Sequence, residues 1–94
     1  MGKVNLTGRL ICKSDAEAAN VRNALPEHIR LTRDEPGCLG FDVSPSDSPL
    51  IWHVAEQFAD SAAFEAHKTR AGASAWGQQT LGIERDYTIT EDDA

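Results

Sequence analysis

Apolar residues fall at every second position near the start of the chain: Val4, Leu6, Gly8, Leu10 and Cys12 alternate with Lys3, Asn5, Thr7, Arg9 and Ile11. A period of two puts each set on its own side of an extended backbone, so residues 3–13 read as a strand with one apolar face. Ser14-Asp15-Ala16-Glu17 has the form of a capping box, in which Ser14 accepts from the amide of Glu17 and the Glu17 side chain reaches back. The period then lengthens. Ala18, Val21, Leu25 and Ile29 form a helical stripe flanked by Ala24, His28 and Leu31, and the spacing predicts a helix to about residue 34. Pro26 lacks an amide hydrogen and is expected to kink that helix or divide it in two, and Pro36-Gly37 stops it.

Alternation returns with Leu39, Phe41 and Val43 against Cys38, Gly40 and Asp42, a second strand closed by the turn-forming run Ser44-Pro45-Ser46-Asp47-Ser48-Pro49. Leu50 to Phe58 is the third strand. Trp52, Val54 and Phe58 on one side and Ile51 and Ala55 on the other are apolar, which predicts a place inside the sheet with cover on each face. Asp60 caps a second helix that carries Ala63, Phe64, His67, Ala71 and Ala75 at helical spacing and runs to about Trp76. After Gly82, a last strand places Ile83, Arg85, Tyr87 and Ile89 on one face, and Glu91-Asp92-Asp93-Ala94 reads as an acidic, frayed tail. The order β-α-β-β-α-β predicts an α+β, ferredoxin-like sandwich, an antiparallel sheet with two helices on one face. The other face, with Asn5, Thr7, Arg9, His53 and Gln57, is either solvated or, given Ile51 and Ala55, covered by a partner sheet.

Composition narrows the function classes. A chain of 94 residues suits one domain spanning 1–94, and a domain of that size buries roughly two-thirds of the surface its unfolded chain exposes. With 40% hydrophobic and 26% charged residues it has the composition of a chain that folds. A net charge of −6, a pI near 4.8 and the lack of a basic cluster argue against nucleic acid and against anionic membrane as partners. The start, Met1-Gly2-Lys3-Val4-Asn5-Leu6, has no apolar leader core, and no window approaches the ~18 apolar residues of a spanning helix, so the expected location is cytoplasmic. Leu6 breaks the myristoylation pattern, and Asn5-Leu6-Thr7 is a glycosylation site only in a secreted chain. Cys12 and Cys38 lack CxxC spacing and read as half-buried free thiols without a metal or redox role.

Candidate chemistry centres on His67, whose imidazole is the usual proton acceptor near neutral pH and whose neighbours Ala63, Phe64 and Ala71 give it a partly apolar setting. The alternative is a satisfied core or rim histidine. Glu56 interrupts the apolar face of Trp52, Val54 and Phe58, where a carboxylate needs a partner: either an imidazole such as His67, which it would orient, or a backbone amide that it tethers. Trp52, Phe41, Phe64, Tyr87 and Trp76 either line a flat pocket for an aromatic substrate or pack the core. His28 is a further pocket candidate, and His53 reads as structural or exposed. No phosphate-cradling loop, nucleophile elbow or HExxH occurs, and the three histidines lack metal-ligand spacing, so neither metal nor cofactor is expected.

Glu56-Gln57-Phe58-Ala59-Asp60-Ser61-Ala62-Ala63-Phe64-Glu65-Ala66-His67-Lys68-Thr69, taken with Glu35-Pro36-Gly37-Cys38-Leu39-Gly40-Phe41-Asp42-Val43, resembles the antibiotic biosynthesis monooxygenase family over nearly the whole chain. The resemblance implies a homodimer in which two sheets pair into a dimeric α+β barrel, and a small aromatic, quinol or enol substrate oxidised by O2 without flavin, haem or metal. It implies that His67 faces a pocket between helices and sheet, where many members carry a histidine, with Glu56 at a strand end that tends to hold glutamate. His67 and Glu56 are then the catalytic pair, and Trp52, Phe41, Phe64, Trp76 and His28 bind substrate. Haem-degrading relatives of this fold use an Asn, a Trp and a His; Gly8, His67 and Gly77 stand at the matching positions, which disfavours haem breakdown. The chain is also similar to a phosphorylated-autoinducer isomerase of the same fold, in which Lys68, Arg70 or Arg9 would meet phosphate, although Gly72 stands where a further histidine is expected. A third alternative is a non-catalytic dimeric module that binds a small ligand.

Overall fold

A computed structural model of the chain describes residues 2–92. The first period-two segment is strand β1 (Val4–Ile11), with Val4, Leu6 and Leu10 buried on its apolar side. The capping box closes as expected on one side, the Glu17 amide donating to Ser14 Oγ at 3.2 Å, while the Glu17 carboxylate accepts from the amide of Lys13 at 2.7 Å. It opens α1 (Asp15–Arg33), which packs Ala18, Val21, Leu25 and His28 against the sheet side of the molecule. Pro26 does not divide this helix. The proline lies on the exposed side, so the carbonyl that loses its helical partner there can bond water instead.

Strands β2 (Cys38–Pro45) and β3 (Ile51–Phe58) form a hairpin, and α2 (Ser61–Ala73), α3 (Ala75–Gln79) and β4 (Glu84–Glu91) complete the chain. The sheet order is β2-β3-β1-β4, antiparallel throughout, giving the ferredoxin-like α+β fold. The expected single helix to Trp76 is instead two. Ser74 adopts an extended conformation, donates from Oγ to the Ala71 carbonyl at 2.6 Å and caps α3 by accepting from the Gly77 amide. Gly77 permits the close return, since a Cβ there would come within 2.5 Å of the Ala71 carbonyl oxygen. Glu91, expected in a frayed tail, closes β4 opposite Val4; Asp93 and Ala94 lie outside the described residues.

β3 lies between β2 and β1, so its interior position is as expected, but the helices cover only one of its faces. On the other, His53 and Ala55 are exposed, Gln57 donates to Asn5 Oδ1 at 2.8 Å, and Arg9 pairs with Asp86 at 2.7 Å. On the helix side, register builds rows across the sheet: Phe41, Glu56, Leu6 and Ile89 in one, Val43, Val54, Gly8 and Tyr87 in the next. Cys12 is buried rather than half-buried, which pushes its thiol pKa up, and Cys38 is half-buried; both are free. No helix among the described residues is long and apolar enough to cross a membrane.

Candidate active site

The two rows form the floor of a cavity of about 300 Å³. Its roof comes from the helices, with His28 on α1, Phe64 and His67 on α2 and Trp76 on α3, while Arg85 of β4 and Lys68 also border the space. An apolar hollow with a few converging polar groups is the usual form of a small-molecule site. Phe41, Phe64 and Trp76 border the cavity and belong to the buried core at once, and His28 borders it beside them. Trp52 does not line this cavity. It lies one row further along the sheet, between Pro45 and Leu10, with its indole nitrogen buried. Tyr87, one of the aromatic residues offered for a flat pocket, does line it, its ring lying on β1 where a Cβ on Gly8 would come within 2.9 Å of it.

His67 is buried, 5% exposed, with its ring 4.8 Å from that of Phe58 and 5.9 Å from that of Phe41. Helical geometry carries its Nδ1 toward the turn after α1, where the Glu35 carboxylate lies 3.1 and 3.3 Å away. Arg70, one turn further along α2, donates from Nε to the same carboxylate at 2.5 Å and from Nη2 to Thr32 Oγ1 at 3.0 Å. A carboxylate only accepts, so this contact places the imidazole proton on Nδ1 and leaves Nε2 as an acceptor. Nε2 points to Glu56, whose Oε1 is 3.7 Å away. That separation exceeds a hydrogen bond. The carboxylate that orients His67 is therefore Glu35, not Glu56 as the sequence suggested, and the neighbour of the Glu56 carboxyl is an imidazole rather than a backbone amide.

Electrostatics separate the two groups that face the cavity. Burial pushes the Glu56 pKa up to about 7, helped by the negative charge of Glu35 and opposed by Arg85. Burial also pushes His67 down, with Glu35 working against the shift and Arg70 adding to it. Near neutral pH Glu56 is thus close to its midpoint beside a neutral imidazole, so the ionised carboxylate is the proton acceptor on the cavity and the imidazole is free to receive a proton at Nε2. Tyr87 is pushed up to about 12, mainly by burial, and stays a neutral phenol.

His28 stacks on Trp76 with centroids 4.4 Å apart and planes 2° from parallel, and meets Phe41 edge-on at 5.2 Å. Burial, with smaller contributions from His67, Arg70 and Arg85, pushes its pKa down from 6.5 to about 3. The unfolded chain binds this proton below 6.5 and the native state does not, so stability present above pH 6.5 is lost as pH falls toward 3. His28→Phe should therefore flatten the acid limb, recovering about 2–3 kcal/mol at pH 4 relative to its own effect at pH 7.5. Urea unfolding at the two pH values measures it, and parallel acid limbs in both proteins would refute it.

Sequence reasoning missed Glu35 as a site residue: it precedes His67 by 32 residues and enters the sequence reading only as the first residue of the upstream segment that carries the family resemblance. The available signal was Arg70: an arginine three residues after a histidine on a partly apolar helix face calls for a shared carboxylate. The cations considered for a phosphate are dispersed. Arg70 is held by Glu35, Arg9 lies on the open face with Asp86, and Lys68, paired with Glu65 at 2.8 Å, is the one of the three that borders the cavity. Among the described residues no group of three His, Cys, Asp or Glu side chains is placed to hold a metal ion.

Solved structures with the same fold span the chain almost end to end. A Caulobacter crescentus CB15 protein provisionally named an antibiotic biosynthesis monooxygenase aligns at 22% identity, covering 99% of this chain and 92% of its own, with a TM-score of 0.74. A Nitrosomonas europaea protein with the same provisional name aligns at 22% identity over 94% and 95% of the two chains, with a TM-score of 0.77. Rv0793 from Mycobacterium tuberculosis aligns at 20% identity over 98% and 96%, with a TM-score of 0.74. No curated protein matches the sequence. The sequence profile of the antibiotic biosynthesis monooxygenases matches residues 11–79, from the end of β1 to the end of α3 and so across all of the helix-borne part of the cavity. The chain belongs to the antibiotic biosynthesis monooxygenase family.

Proposed function

We propose that this chain, acting as one domain over residues 1–94 in a cytoplasmic homodimer, is a cofactor-independent monooxygenase of a small aromatic, quinol or enol substrate. The observation that carries the reading is the Glu56–His67 pair, 3.7 Å apart and buried, at the floor and roof of an apolar cavity. Glu56 in its ionised form takes the hydroxyl proton of a hydroquinone or enol, and His67 accepts that proton in turn. The electron-rich anion reduces O2, a carbon–oxygen bond forms, and the resulting peroxide splits its O–O bond, releasing water. For a quinol the balance is one quinol plus one O2 to one hydroxyquinone plus one water. The substrate supplies all four electrons, so the reaction requires no external reductant.

The neutral states of His28 and Tyr87 suit an uncharged, flat ring, and Phe41 and Trp76 offer it stacking surface. The open sheet face, with exposed His53 and Ala55, supports pairing with a second copy. The isomerase alternative would need a cluster of free cations on the cavity, and the dispersal of Arg9 and Arg70 works against it. The test is to supply isotopically labelled dioxygen with a panel of quinols and polyphenols and weigh the products. One labelled oxygen in the product and one in water, lost in His67→Ala, is the expected outcome; binding without label would make the chain a ligand-binding module.

A further inference from the structure

Glu35 is in contact with His67 yet does not border the cavity. It lines a separate groove of about 450 Å³ between α2 and the turn after α1, walled by Pro36, Gly37, Ala63 and Ala66. The cavity and this groove share no lining residue, and His67 spans the wall between them, one ring nitrogen toward each. We propose that Glu56, His67 and Glu35 form a proton relay through the wall of the cavity, with Glu35 as its outer terminus. The proposal rests on Glu56 being the group that takes the substrate proton.

Each step exchanges one bond to hydrogen for another. A substrate O–H breaks as the Glu56 carboxylate gains the proton; Glu56 then gives it to His67 Nε2 while Nδ1–H passes its proton to Glu35. The Nε2–Glu56 separation of 3.7 Å must close by roughly 1 Å for this transfer, a tightening that catalytic hydrogen bonds commonly undergo when substrate binds. The first passage leaves the imidazole with its proton on Nε2. The reverse passage restores Nδ1–H and returns the substrate's proton to the peroxide; the second hydrogen of the released water is the one lost from the ring carbon that gains oxygen. Arg70, itself anchored by donating to Thr32 Oγ1, fixes the outer carboxylate, whose side chain is 16% exposed, so that it stays on Nδ1 while reaching the groove. The remaining groups around His67 do not short-circuit the path: His28 of α1, 5.8 Å away, has its own stacking partner in Trp76, Arg85 of β4 is held by Thr80, and Phe41 and Phe58 are apolar. Glu35 acts through His67 and is a positioning residue in this scheme.

Glu35→Gln keeps the size of the side chain and an oxygen that accepts from Nδ1–H, but it cannot take the proton. The expected result is a kcat at least about tenfold lower with KM unchanged, partly restored in Glu35→Asp. Nitrogen NMR of histidine-labelled protein without substrate gives an independent reading: in wild type His67 carries its proton on Nδ1, and in Glu35→Gln the exchange of that proton with solvent slows at least about tenfold. Wild-type kcat in Glu35→Gln, a proton on Nε2 in the wild type, or unchanged exchange would overturn the relay. If no compound is oxidised by the wild type, the oxidation reading fails, and the NMR result decides the relay by itself.

Discussion

Glu56→Gln should lower turnover by about a hundredfold to ten-thousandfold, the range spanned by loss of a positioned proton acceptor. Glutamine keeps the volume of the side chain, so substrate affinity should hold while kcat falls, which marks an interaction used in the transition state rather than in binding. The pH profile sharpens the test. The acceptor must be ionised, and burial places the Glu56 pKa at about 7, so wild-type kcat/KM should climb through neutrality and level off above it. That limb should vanish in the residual activity of Glu56→Gln. Stability should move the opposite way. A carboxyl whose native pKa is raised from 4.5 to about 7 contributes stability that is complete below 4.5 and is lost as pH rises through 7. The glutamine variant should therefore gain about 1–3 kcal/mol over wild type at pH 8 relative to their difference at pH 4.5. A less active but more stable variant is what a strained functional carboxyl yields; one that loses both would make Glu56 structural.

Phe58→Ala should cost about 3–5 kcal/mol, a large share of the roughly 5–15 kcal/mol that holds a domain together. Phe58 is fully buried at the end of β3, where it meets Phe64 with ring centroids 5.6 Å apart and His67 at 4.8 Å. Removing the ring leaves a cavity that the paired strands beside it, through Val4 and Cys38, cannot collapse to fill. The same ring is a wall against which the imidazole rests, so the folded fraction of the variant should also turn over more slowly. Urea unfolding reads the first effect and activity at low temperature the second. Leu81→Ala is the control, since Leu81 is 82% exposed and its truncation should stay within about 0.5 kcal/mol. An equal loss in both variants would mean that burial does not govern the stability of this chain.

The strands and both long helices were legible in the sequence because their signals are local. The alternation around Val4 to Leu10 and the Ser14–Glu17 box depend on neighbours a few residues away, and the structure repeats them. The misreadings share a different cause. Of the two outcomes expected at Pro26, a kink or a division of α1, the division does not occur: its exposed position lets water replace the lost hydrogen bond, and exposure is set by tertiary packing. The stop at Ser74 lay hidden in a run of alanines, glycine and serine that suits a helix, and only the return of α3 through Gly77 shows why the backbone turns there. Trp52 shares a face with Glu56, so face parity admits both to the site; their separation along β3, which periodicity does not weigh, puts Trp52 two rows from Glu56, beyond the floor of the cavity. Tyr87, by contrast, is among the rings the sequence offers for the pocket; that it rather than Trp52 reaches the cavity follows from register, which sets it opposite Gly8. Glu35 joins His67 only when the turn after α1 folds against α2, a juxtaposition to which spacing along the chain gives no access. His67 itself was legible as a candidate, whereas its orienting partner was not.

The next measurement is oxygen uptake by wild type, Glu56→Gln and His67→Ala, each stripped of metal and flavin, with a panel of uncharged quinols and polyphenols at pH 7.5. Uptake by the wild type above autoxidation, lost in both variants while both still bind the compound, is the expected result. Equal uptake in all three proteins would contradict the assignment of the chemistry to Glu56 and His67.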